Sequence, residues 1–118
     1  MYNINMTLGE PIEDILTLQQ GDKPLLEATL YDYDGTAWDE GYTATFIVGR
    51  SESDTDEWVL SSIVGVSPED NVFYFNLEDI TYTRGIYQGY VLVENATETT
   101  PVSDVVKYSF KPVRIEVI

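Results

Sequence analysis

The feature that most constrains this 118-residue chain is a side-chain period of two, repeated in separate short runs. Leu26, Ala28 and Leu30 alternate with Glu27, Thr29 and Tyr31. Tyr42, Ala44, Phe46 and Val48 alternate with Thr43, Thr45 and Ile47. The pattern returns at Phe73, Phe75 and Leu77, at Tyr87, Gly89, Val91 and Val93, and at Val106, Tyr108 and Phe110. A weaker alternation runs over residues 12–18, and Trp58-Val59-Leu60 opens another short segment. Period two places each apolar set on one face of a pleated sheet. The runs are rich in Thr, Val, Ile, Tyr and Phe, which suit a half-buried sheet surface. No segment carries a long helical apolar stripe, and the one helical signal is a turn near Leu77-Glu78-Asp79-Ile80.

Turn residues punctuate the runs at Gln20-Gly21-Asp22, Asp34-Gly35, Glu40-Gly41, Pro68-Glu69-Asp70-Asn71, Arg84-Gly85 and Glu94-Asn95-Ala96-Thr97. Regularly spaced short strands with such breaks point to a sandwich or barrel rather than βαβ units. About seven strands in one domain predicts an all-β, immunoglobulin-like antiparallel β-sandwich. Residues 1–118 read as a single domain, with residues 1–10 a candidate N-terminal arm and residues 11–118 the sandwich. Gly85-Ile86-Tyr87 opens a strand just after a turn. Immunoglobulin-like domains often place a Tyr at that corner, its hydroxyl bonded back to the turn backbone. Two residues on stands Gly89 where such domains carry a Cys, and the chain has no Cys, so apolar packing must replace the inter-sheet disulfide.

Composition removes several chemistries. Against 21 acidic residues stand 6 basic ones, a net charge of −15, with no His. Absence of His and Cys removes Ser-His-Asp catalysis, thiol nucleophiles and the usual zinc ligands. A strongly negative body repels nucleic acid phosphate. The sequence holds no apolar run long enough for a membrane-spanning helix. Met1-Tyr2-Asn3-Ile4-Asn5 lacks the basic and apolar regions of a signal peptide, so none is expected. The sequons Asn5-Met6-Thr7 and Asn95-Ala96-Thr97 are then accidental.

A family likeness rests on an ordered series of segments. They are Leu16-Thr17-Leu18-Gln19-Gln20-Gly21-Asp22, then Leu25-Leu26-Glu27-Ala28-Thr29-Leu30-Tyr31-Asp32 and Asp34-Gly35. Next come Tyr42-Thr43-Ala44-Thr45-Phe46-Ile47-Val48-Gly49-Arg50 and Asn71-Val72-Phe73-Tyr74-Phe75. Gly85-Ile86-Tyr87-Gln88-Gly89-Tyr90-Val91 and Phe110-Lys111-Pro112-Val113 complete it. Over residues 12–117 the chain resembles the N-terminal domain of the baseplate upper proteins of siphophages that infect Gram-positive bacteria. The resemblance implies a non-enzymatic virion structural protein of the tail or baseplate. It would be made in the host cytoplasm and act through contacts with other virion proteins or further copies of itself. Members of that family continue into further domains, whereas this sequence stops at Ile118. A free-standing virion component, a head decoration protein or a truncated piece of a longer chain therefore stays open.

Three groups of residues are candidates for function. The first is acidic. Asp32, Asp34 and Asp39 surround Gly35, and alternating carboxylates can hold Ca²⁺. The competing and favoured reading is a solvated hairpin whose Asp side chains bond the local backbone. A second acidic run, Glu52, Asp54, Asp56 and Glu57, reads as a polar loop. Carboxylate pairs also serve glycosidases, but among 21 acids a pair at suitable spacing arises by chance, and no enzyme activity is expected.

The second group is aromatic. Tyr33, Trp38 and Tyr90, with Tyr31, Trp58 and Tyr82, fall in turns or on the second face of strands. Exposed Tyr and Trp suit partner interfaces or sugar stacking. This sustains an alternative function, a carbohydrate- or cell-surface-binding module assisted by Ca²⁺. The third group is terminal. Tyr2, Ile4 and Met6 alternate in the arm, which would add a strand to a neighbouring sheet. Removal of residues 1–8 is then expected to reduce assembly and spare the fold. Lys107, Lys111 and Arg114 gather half of the chain's 6 basic residues near its end, where they guard or dock a strand edge. No catalytic or cofactor-binding residue is expected.

Overall fold

The computed structural model describes residues 2–38, 43–50, 61–69, 71–94 and 107–118. Its strands are β1 (Tyr2–Thr7), β2 (Ile15–Leu18), β3 (Leu25–Tyr31), β4 (Thr43–Arg50) and β5 (Ser61–Val64). They continue with β6 (Val66–Glu69), β7 (Val72–Asn76), β8 (Gly85–Glu94), β9 (Lys107–Ser109) and β10 (Val113–Val117). A 3-10 turn at Glu78–Ile80 lies where the sequence places its one helical signal.

Two sheets face each other, one ordered β1-β3-β7-β6 and the other β2-β10-β8-β4-β5, with β9 also on β8. This is the strand order of an immunoglobulin-like sandwich. The alternating residues form its inner layer, with Leu26, Ala28 and Leu30 packed against Ala44, Phe46, Val48, Val91 and Val93. The segment at Trp58 lies outside the described residues.

Three expectations need correction. The sheets are mixed, because β1 pairs with β3 in parallel and β2 pairs with β10 in parallel. The chain reverses after β1, helped by Gly9 at a φ of 80°, so β1 runs parallel to β3. Second, the strands outnumber the expected set. The strands not expected from the sequence are β1, β6 and β10. Gly65 separates β5 in one sheet from β6 in the other.

Third, residues 2–7 are no free arm. They are β1, in register with β3 from Tyr2↔Leu26 to Thr7↔Tyr31. Ile4 is 3% exposed and Met6 is 0% exposed. Apolar side chains at a strand's period, beside the open edge of β3, gain most by closing the sandwich of their own chain.

β9 and β10 are one strand interrupted by a bulge. Ser109 faces Leu92 and Val113 faces Gly89, so the outer strand spends one residue more than β8 over the same stretch. Pro112, which has no N–H for a ladder, sits in that bulge. The extra residue resets the alternation, so Phe110 and Val113 both point into the core.

The core is organised around two rings that meet at a tilt of 40°. Phe46 and Phe75, from opposite sheets, have centroids 5.6 Å apart. A Cβ on Gly89 would lie 2.4 Å from Phe46 Cζ, and one on Gly65 would lie 2.8 Å from Phe75 Cε1. Each ring therefore rests against a glycine on its outer side. The pair fills the mid-plane that a disulfide would otherwise bridge, as the missing Cys requires.

Candidate functional site

The turn between β3 and the segment leading to β4 carries the proposed cation ligands. Asp32 N–H donates to Thr36 O at 2.8 Å and Gly35 N–H donates to Asp32 O at 2.9 Å. Gly35 adopts a φ of 83°, which the tight turn demands. Asp32 Oδ1 accepts the Tyr33 N–H at 2.7 Å. Asp34 Oδ1 accepts both the Thr36 N–H at 3.0 Å and the Thr36 hydroxyl at 2.6 Å. Those two bonds favour the charged form and hold the Asp34 carboxyl below its ordinary value. Both carboxylates thus serve the turn, as the hairpin reading expects. Asp39 lies outside the described residues, as does the acidic run at residues 52–57. Among the described residues no three acidic side chains converge on one point.

The aromatic candidates separate by burial. Trp38 is 5% exposed, which removes it from the exposed interface set. It meets Tyr108 at 5.3 Å and Phe110 at 5.7 Å, both edge to face. Its backbone N–H donates to Leu30 O, so the turn folds back and seats the indole at the upper end of the sandwich. Tyr33 stays 67% exposed and lies across the β1–β2 turn, 3.0 Å from where a Gly9 Cβ would stand. Tyr82 is also exposed, but it follows the 3-10 turn at the opposite end of the sandwich. Tyr2 and Tyr90 are half-buried. Tyr90 faces Ile47 across the β4–β8 pair, on the outer side of that sheet.

Among the terminal candidates, Ile4 and Met6 belong to the core and are unavailable to a partner. The cations remain at the surface. Lys107 Nζ lies 3.7 Å from Glu94 Oε2 across the β8–β9 pair. Arg114 Nε lies 3.2 Å from Glu116 Oε1 on its own strand. Lys111 is exposed in the bulge. Exposed pairs of this kind contribute little to stability.

The sequence reading missed one surface, the outer edge of β1. A polar groove of about 310 Å³ runs beside it, lined by Asn5, Thr7, Glu10, Pro11, Ile12, Glu13 and Asp14. The available signal was the six-residue run Tyr-Asn-Ile-Asn-Met-Thr, uncharged in a chain so rich in acids.

No protein-family model matches the sequence, and no curated protein matches it. Among solved structures, the chain is similar to the N-terminal domain of phage TP901-1 ORF48, with a TM-score of 0.72. The two share 15% sequence identity, and the superposition covers 98% of this chain and 96% of that one. At that identity the likeness establishes a shared fold from end to end.

Proposed function

We propose that this chain is a non-enzymatic structural protein of a phage virion, an immunoglobulin-like domain of the tail or baseplate that acts by binding other virion proteins. The observation that carries the reading is the near-complete superposition on the N-terminal domain of phage TP901-1 ORF48. The segment order read from the sequence supports it independently. The fold supplies a rigid body with apolar packing held inside, and leaves edges and turns for contact.

Among the described residues, the carbohydrate-binding alternative draws no support from its own candidates. Trp38, its stacking platform, is packed inside, and Asp34 is committed to Thr36. The exposed Tyr33 and Tyr82 stand at opposite ends and form no shared platform.

Mass spectrometry of purified particles tests the reading. Particles of the phage that encodes the chain are expected to contain it at a fixed copy number, enriched in isolated tail tips. Particles that assemble and infect without it would overturn the proposal.

A further inference from the structure

We propose that the outer edge of β1 is a strand-addition site for an extended, lysine- or arginine-bearing segment of another virion protein. The inference deepens the assembly reading above and rests on it for the class of partner.

The edge is set up by the parallel ladder. Leu8 N–H donates to Tyr31 O at 3.1 Å, which continues the even-numbered residues of β1 as those bonded to β3. In a parallel pair, alternate residues of a strand turn their N–H and C=O away from the neighbour. Asn3 and Asn5 are those residues. β1 ends its sheet, and among the described residues no strand flanks its outer side.

Protein sheet edges are normally shortened, bulged, charged or interrupted by Pro. The other sheet ends show such devices. β2 and β5 have four residues each, and β6 contains Pro68 and a register shift between Val66 and Glu69. β1 has six residues in unbroken register, with no charge and no Pro. Added strands bind to such edges through backbone hydrogen bonds, and their flanking side chains set specificity.

Charge selects the occupant. The groove beside Asn5 and Thr7 is walled by Glu10, Glu13 and Asp14. A cationic segment gains attraction there, and an acidic one is repelled. A second copy of this chain would bring the same uncharged strand beside the same three acids, and so no countercharge.

The test uses the full ¹⁵N-labelled chain and two synthetic peptides, one alternating lysine with valine and one alternating glutamate with valine. Amide hydrogen exchange is read at Asn3 and Asn5. The lysine peptide is expected to slow both amides about tenfold at saturation, while the glutamate peptide leaves them unchanged. Asn5→Pro removes an outward N–H without touching the ladder to β3, and should abolish the protection at Asn3. Should that variant fail to fold, Glu13→Lys with Asp14→Lys leaves the strand alone and should reverse the preference between peptides. The proposal is overturned if the lysine peptide leaves Asn3 and Asn5 unprotected, if both peptides protect equally, or if charge reversal changes nothing. Presence of the chain in particles is a separate measurement, so this site can fail while the assembly role stands.

Discussion

The Tyr87 hydroxyl donates a 2.7 Å hydrogen bond to the Thr83 carbonyl, four residues back and across the corner that leads into β8. Tyr87 is 4% exposed, so the ring is in the core while its oxygen ties down the turn. Replacing it by Phe keeps the packing and removes the bond. Tyr87→Phe should lower unfolding free energy by about 1 kcal/mol, the usual net value of such a bond. Urea unfolding with an unchanged m-value would register it, and an unchanged midpoint would count against the corner as a stabilising device.

The glycine two residues on makes a stronger demand. A methyl group on Gly89 would meet Phe46 Cζ at 2.4 Å, far inside contact distance. Phe46 is 0% exposed and already packed against the tilted ring of Phe75, so its ring has little room to retreat. Gly89→Ala should therefore destabilise by about 1–3 kcal/mol through overpacking. Phe46→Leu added to Gly89→Ala should recover part of that loss, because the smaller side chain vacates the colliding position. Thermal melts of the two single variants and the double variant measure the coupling.

Much of this architecture is legible in the alternation itself. The inward sets on β3, β4, β7 and β8 match the apolar residues of each run, since a pleat leaves only two choices of face. Tyr87 and the Asp34-Gly35 turn are legible for a different reason, because their hydrogen bonds are local in sequence. Pro112 signals an edge or a bulge, and the structure resolves it as a bulge. The misreadings share one cause. Period two fixes which way Ile4 and Met6 point, but not which strand they pair with, nor that the pairing is parallel. Trp38 looks like a turn residue beside Asp-rich sequence. Its burial depends on Tyr108 and Phe110, far along the chain, which no local pattern can reveal.

The turn at Asp34 gives a pH-dependent expectation. Its carboxyl is held below the ordinary aspartate value by the Thr36 hydroxyl and then by the Thr36 N–H. A depressed folded-state value means the bonds favour the folded chain above the unfolded value, near pH 4, and lose that effect as pH falls through the lower folded value. Thr36→Val removes the hydroxyl donor. NMR titration should then show the Asp34 value rising toward that of a free aspartate, with stability at pH 7 slightly reduced. The group is fully exposed, so the effect on stability should be small, and an unmoved Asp34 titration would contradict the assignment.

The N-terminal strand supplies the sharpest contrast with a detachable arm. An arm could be removed with assembly as the only casualty. β1 instead places Ile4 and Met6 in the core, and Leu8, which follows it, is 3% exposed. Burial of such a side chain is worth about 1.5–3 kcal/mol, so three of them approach the whole stability of a small domain. Truncation would also strip β3 of its parallel partner β1 and expose its full length as a new sheet edge. A chain lacking residues 1–8 is therefore expected to lose cooperative unfolding, to bind hydrophobic dye and to aggregate. Substitution of Asn3 and Asn5 together by Ser, whose side chains also face solvent, should leave the thermal midpoint within about 2 °C of the parent because surface changes of this kind cost little. Circular dichroism melts of the truncated and substituted proteins separate the two cases, since an arm predicts normal melting for both and an integral strand predicts it for the second alone.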